Sequence, residues 1–120
     1  MSDNDLTYSI IGAAMKVHNE LGPGLREKPY ENALYIELRN LGYHVEQQYP
    51  FPIRYQNHIV GDCIPDLVIP KQLIIEGKSV DRLSENESAQ VLNYLRIANI
   101  TLGLLLNFKP HKLEVKRFSR

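Results

Sequence analysis

Three charged residues stand where a folded chain should bury apolar ones. Asp66 follows Pro65 in an apolar stretch, and Glu76 and Lys78 lie two apart in Leu73-Ile74-Ile75-Glu76-Gly77-Lys78. Side chains two apart in a strand leave the same face, so the Glu76 carboxylate and the Lys78 amine point the same way. Charge inside an apolar strand is costly unless paired or bound to a metal. Two carboxylates on neighbouring strands of a hairpin converge and repel, and a divalent cation relieves the repulsion. Mg²⁺ takes oxygen ligands, commonly one or two carboxylates with waters completing the shell. Lys78 could then hold or deprotonate a water, or offset charge gathering on a phosphate. The plainer reading is a structural ion-pair cluster. Polar groups on other elements converge toward the same spot. Gln90 and Tyr94 are four apart, hence on one helix face, and Glu27 sits at the mouth of a helix beside Gly22-Pro23-Gly24.

The elements that carry these residues are legible from periodicity. Residues 5 to 21 place Ile10, Ala14, Val17 and Leu21 at helical steps, and Gly22-Pro23-Gly24 ends that helix. A second helix is expected from about Pro29 to Leu41, with Leu34, Leu38 and Leu41 as its buried stripe and Gly42 as its stop. Val45 to Tyr55 has strand character interrupted by Pro50 and Pro52, the mark of an edge or bulged strand, and Gln56-Asn57-His58 reads as a turn. Ile59 to Ile69 and Gln72 to Val80 then read as a hairpin around Pro70-Lys71, with Leu73 to Ile75 suiting a strand covered on both faces. Ser84 with Glu87 is a capping box for a third helix, whose core stripe is Val91, Leu95 and Ala98 with Leu92 beside it. Leu102 to Phe108 and Leu113 to Phe118 complete the strands. The order α-α-β-β-β-α-β-β describes one α/β domain over residues 1–120, a mixed sheet with helices against it.

Composition narrows the function classes. A chain of 120 residues, 43% hydrophobic and 23% charged, is neither a disordered tail nor a fibre nor a disulfide scaffold. Its 14 basic and 14 acidic residues cancel, so no bulk positive field advertises nucleic acid. The exception is local: from Lys109 to Arg120, five basic residues face Glu114 alone. Lys112, Lys116 and Arg117 there form either a contact strip for a nucleic-acid backbone or a solvated edge strand protected by charge. No apolar run approaches membrane-spanning length, and the polar start MSDNDLTYS reads as no secretory signal. The single cysteine, Cys63, forms no internal disulfide and suits a reducing cytoplasm. His18, His44, His58 and His111 are too scattered for a transition-metal site. Gly22-Pro23-Gly24 is a turn rather than a phosphate cradle, since no GK[ST] follows and Pro23 lacks an N–H.

The ordered set Asp66, Glu76-Gly77-Lys78 and Gln90-Val91-Leu92-Asn93-Tyr94 resembles the signature of PD-(D/E)XK nucleases, in the order of their RecB-like QxxxY branch. Gly24-Leu25-Arg26-Glu27-Lys28-Pro29-Tyr30 resembles the motif of the GxxExxY protein family within that superfamily, as do Glu31-Asn32-Ala33-Leu34, Glu37-Leu38, Gly42, Gln48, Tyr55, Asn93-Tyr94-Leu95 and Gly103-Leu104-Leu105-Leu106-Asn107-Phe108, and the likeness runs over about residues 6 to 118. The resemblance implies a restriction-endonuclease-like core with Mg²⁺ or Mn²⁺ as cofactor. It implies that Asp66 and Glu76 are metal ligands, with the carbonyl of Gly77 as an extra one, and Lys78 the catalytic lysine. Glu27 would be the helix acid that touches the metal directly or through water, and Gln90 and Tyr94 would orient the site or a substrate phosphate. Arg26, Pro29 and Gly77 depart from the apolar residues usual at such positions, and Gly77 is expected to loosen its strand. The implied activity is hydrolysis of nucleic-acid phosphodiesters by water activated at the cation and Lys78, with DNA the expected partner, bound weakly by the unaided chain. Two other functions fit the same residues: a non-catalytic module on this fold, joined to itself as a homodimer or to a protein partner, and a nucleotide or sugar-phosphate hydrolase.

Overall fold

In the computed structural model, which describes residues 2–120, two helices, α1 (Asp3–Leu21) and α2 (Glu27–Asn40), precede five strands. These are β1 (Glu46–Gln47), β2 (Phe51–Tyr55), β3 (His58–Cys63), β4 (Leu67–Ile69) and β5 (Leu73–Lys78). Helix α3 (Glu85–Ala98) then leads to β6 (Leu102–Asn107) and β7 (Glu114–Ser119). The ends of α1 and α3 are fixed by capping boxes, Ser2 with Asp5 and Ser84 with Glu87, each satisfying N–H groups that a helix start leaves unpaired.

Five strands form one mixed sheet in the order β1-β4-β5-β6-β7, with β5 and β6 parallel and joined by the α3 crossover. Helices α1 and α2 cover one face, packing Ile10, Ala14, Tyr30 and Leu34 on Leu73, Ile75, Leu104, Leu106 and Phe108. Helix α3 covers the other, with Val91 and Leu95 against Val68, Ile74 and Leu105. Every residue of β6 is therefore buried, as in a central strand with helices on both sides. Contact with α3 is tightest at Gly103, where an added Cβ would lie 3.0 Å from Val91 Cγ1 and 3.3 Å from Leu95 Cδ1.

The expected α/β domain with a mixed sheet is present, but it holds seven strands rather than five. Ile59 to Ile69 is not one strand. Pro65, which cannot donate to a ladder, ends the run, and the chain crosses from β3 to β4 through Ile64-Pro65-Asp66. Strand β3 pairs with β2 in a separate two-stranded sheet, while β4 pairs with β5 around Pro70-Lys71 as expected. Val45 to Tyr55 divides likewise at Gln48-Tyr49-Pro50, with Gln48 in the left-handed region at φ 56°. The β2–β3 turn needs two left-handed residues in succession, and Gln56 and Asn57 supply them at φ 48° and 67°. Helix α2 begins two residues before Pro29, and Leu41, expected in its buried stripe, is its exposed C-cap. Leu21 and Leu92, expected on or beside core faces, are exposed too. Gly77 does not interrupt β5, where it stays in register with Leu106.

Candidate functional site

The β4–β5 ladder stops one step short of its acids. Leu67 pairs with Ile75, and the next pair would be Asp66 with Glu76, but Asp66 belongs to the linker leaving for β3. Backbone N–H groups freed at such a fork still need acceptors. The two carboxylates provide them: Glu76 Oε1 accepts the Asp66 N–H at 2.6 Å, and Asp66 Oδ2 accepts the Gly77 N–H at 2.8 Å. Each acid is thus fastened to the other's strand. Lys78 Nζ lies 3.9 Å from Glu76 Oε2, on the face that the two-residue spacing requires.

Glu76 is only 3% exposed. Burial, reinforced by the Asp66 charge, pushes its carboxyl up to about 8 against the pull of the Asp66 N–H and Lys78. Burial also lifts Asp66, to about 6, with the Gly77 N–H opposing and the Glu31 charge adding to the rise. The two acids titrate as a coupled pair. Were both acids ionised, the single Lys78 ammonium would not balance them, and a cation beside the pair would favour that doubly ionised form.

Glu31, to which no sequence pattern assigns a role, lies buried beneath them on α2. Its Oε2 accepts from Gln47 Nε2 at 2.7 Å, Gln48 Nε2 at 3.0 Å and Lys28 Nζ at 3.1 Å. Burial alone would raise its pKa, but the two amides and the Lys28 ammonium outweigh it, so Glu31 is held below the usual carboxylate range. One signal was available: Glu31 follows Glu27 by four residues, hence on the same helix face. Glu27 itself is exposed at the rim, where its Oε2 accepts the Ser79 N–H at 3.3 Å beside a cavity of about 430 Å³ lined by Arg26, Ser79 and Lys109.

Helix α3 brings Gln90 and Tyr94 together, with Gln90 Nε2 donating to the Tyr94 hydroxyl at 3.1 Å. Burial raises the Tyr94 phenol, and the charges of Glu76, Cys63 and Asp66 act in the same direction. The chain beyond Lys78 is clamped by the buried Asn107, whose side chain accepts from the Val80 N–H at 3.0 Å and donates to the Val80 carbonyl at 2.8 Å. Cys63 is buried, and burial followed by the Asp62 and Glu76 charges pushes its thiol up, away from reactivity. The cavity of about 530 Å³ lined by Tyr49, Phe51, Val68, Pro70 and Ile100 contains none of these acids.

The basic C-terminal residues are not brought together. Lys116 and Arg117 are successive in β7 and point to opposite faces: Lys116 Nζ donates to Ser88 Oγ on α3 at 2.9 Å, while Arg117 reaches Asn4 Oδ1 on α1 at 3.4 Å. Lys112 is exposed in the turn before β7. Register places Lys116 beside Leu105, and Leu105 beside Glu76, so Lys116 shares a cross-strand row with the buried acid.

Among the described residues, no group of three or more His, Cys, Asp or Glu side chains converges closely enough to hold a metal ion. The chemistry present fits a hard divalent cation that keeps most of its waters: one buried and one half-buried carboxylate side by side, with Asp66 Oδ1 and Glu76 Oε2 free of backbone bonds. Among the described residues, no helix is long and apolar enough to cross a membrane.

A family model of the PD-(D/E)XK nuclease superfamily matches residues 4–118. No curated protein matches the chain. Among solved structures, the crystal structure of SSO0001 is similar with a TM-score of 0.61 and 17% identity, over 75% of this chain and 48% of that one. The chain therefore spans about half the length of SSO0001, and the likeness is one of fold.

Proposed function

Because this chain belongs to the PD-(D/E)XK nuclease superfamily, we propose that Asp66, Glu76 and Lys78 form the hydrolytic centre of a divalent-cation-dependent nuclease acting on nucleic-acid phosphodiesters. The observation that carries this reading is the carboxylate pair at the fork, Glu76 buried and Asp66 half-buried, each fastened to the other's strand by a backbone N–H. We assign the chain to the GxxExxY branch on Gly24, Glu27 and Tyr30. In support, the Tyr30 hydroxyl donates to the Gly22 carbonyl at 2.5 Å and accepts the Leu25 N–H at 3.0 Å, so the tyrosine fastens the turn that delivers Glu27.

Asp66 and Glu76 would hold Mg²⁺ or Mn²⁺, with the Gly77 carbonyl as a further donor. Such a cation, when bound, supplies Lewis-acid polarisation of the phosphodiester. The remaining steps belong to side chains. Lys78 Nζ holds the attacking water or a non-bridging phosphate oxygen. Tyr94 keeps its proton because its phenol is raised, and it donates from a hydroxyl already oriented by Gln90. Glu27 at the rim acts through water. Lys116, on the same face and row as Glu76, contacts the nucleic-acid backbone.

A second reading, a module that binds a cation and nucleic acid without turnover, is favoured by the lack of a three-acid cage among the described residues. One experiment separates the two. Full-length protein is incubated with single- and double-stranded DNA and RNA plus Mg²⁺ or Mn²⁺, beside Lys78→Ala and Asp66→Asn. Cleavage that disappears in both variants, with a Mn²⁺-induced thermal shift surviving in Lys78→Ala alone, supports the nuclease. A Mn²⁺ shift without cleavage in the wild type favours the module, and equal cleavage by Lys78→Ala sinks the proposed centre.

A further inference from the structure

Gln47 and Gln48 are neighbours and both grip Glu31, yet the only one that reaches the acid pair is Gln48. We propose that Gln48 is a positioning residue for Asp66: its side-chain amide, anchored on Glu31, sets which way the Asp66 carboxylate faces at the fork. The inference rests on the reading of Asp66 as a cation ligand.

One NH₂ group makes both connections. Gln48 Nε2 donates to Glu31 Oε2 at 3.0 Å and to Asp66 Oδ1 at 3.4 Å. With the Gly77 N–H on Oδ2, the Asp66 carboxylate then accepts at both oxygens, and the two donors oppose its rotation. The backbone repeats the tie, since the Gln48 N–H donates to the Asp66 carbonyl at 3.0 Å. To do so, Gln48 takes a left-handed conformation, φ 56°, that residues with a Cβ avoid unless their surroundings enforce it. The anchor is firm because Glu31 is buried and takes three donors on one oxygen. Residue type matters here. A glutamate at 48 would set a third carboxylate between two others, and methionine has the length but no donor.

The comparison with Gln47 provides the test, because a merely structural role treats the two glutamines alike. Full-length wild type, Gln47→Met and Gln48→Met are titrated with Mn²⁺ and followed by thermal shift, with urea denaturation of each as the measure of fold. Both variants should lose similar stability through Glu31. Gln48→Met should weaken Mn²⁺ binding by about 10- to 100-fold, the usual effect of removing a residue that orients a ligand, while Gln47→Met leaves it at the wild-type level. Adding Glu31→Gln to Gln48→Met should weaken Mn²⁺ binding little further, since Glu31 acts through Gln48. Equal Mn²⁺ affinity in Gln48→Met and wild type overturns the inference and leaves the nuclease reading standing. A wild type that shows no saturable Mn²⁺ shift overturns both. Should Gln48→Met not fold, Gln48→Asn, which keeps the amide but withdraws it by one methylene, replaces it in the same titration: weakened Mn²⁺ binding supports the inference, and wild-type affinity overturns it.

Discussion

Strands β5 and β7 both carry charge, two places apart in one sheet, and they treat it in opposite ways. In β5 the charges lie in a central strand, and each is accounted for: Glu76 by a backbone N–H, Lys78 by Glu76, and Asp66 across the fork by Gly77. In β7, an edge strand, Lys116 and Arg117 are exposed and turn to opposite faces. Water solvates an edge charge at little cost, so such a charge says nothing about position. Burial makes a central charge expensive, so its presence implies partners that hold it in place. Charge density along the sequence is therefore a poor guide to a site, and charge against an apolar background is a good one.

The largest expected effect lies in β5. Lys78→Ala should lower cleavage on the order of 10²–10⁴-fold, read in a nuclease assay with Mn²⁺, whereas no single change in β7 should do so. Next is Gly103→Ala, which tests the helix spanning both strands. With Val91 and Leu95 already in contact distance, the added methyl should cost about 1–3 kcal/mol in urea denaturation and reduce turnover by lifting Tyr94. A third measurement follows stability against pH in metal-free buffer. Both acids have folded-state pKa values raised above those of the unfolded chain, so they favour folding while protonated. That contribution is whole below about pH 4 and is lost as pH rises through about 6 for Asp66 and about 8 for Glu76. Glu76→Gln should lose less stability than wild type between pH 5 and 8, and an identical loss would break the contrast between the strands. The smallest effect separates the two β7 residues. Lys116→Glu should weaken DNA binding and lower its salt slope by about 1, while Arg117→Glu, on the far face, should leave both unchanged.

Much of this was legible because it is local. Period two alone puts Glu76 and Lys78 on one face, and Ser84 with Glu87 announces the start of α3. Period two also forbids Lys116 and Arg117 from sharing a face, a point that counting charges overlooked. The division of Ile59 to Ile69 between two sheets had a signal in Pro65, but apolar continuity on both sides outweighed it. The resemblance includes Glu31, Gln48 and Asn107, but their contacts, and those of Gln47, stayed hidden for another reason. Glutamate on an amphipathic helix and glutamine at a strand end are ordinary surface residues by type, and although the four-residue step from Glu27 gives Glu31 its face, nothing local records that Gln47 and Gln48 converge on it. The expectation that Gly77 loosens β5 overlooked the parallel neighbour β6, whose ladder holds the strand whatever side chain it lacks.

The β2–β3 hairpin packs Phe51 on the core beneath α3, and the two linkers that join it to the main sheet each hold a residue of the acid cluster: Gln48 where the chain enters, Asp66 where it leaves. Both connections of the hairpin therefore lie inside the chemistry. Its outer end displays Tyr55, Ile59 and Val60 to solvent, so an apolar surface stands on the segment whose two connections both belong to the acid cluster.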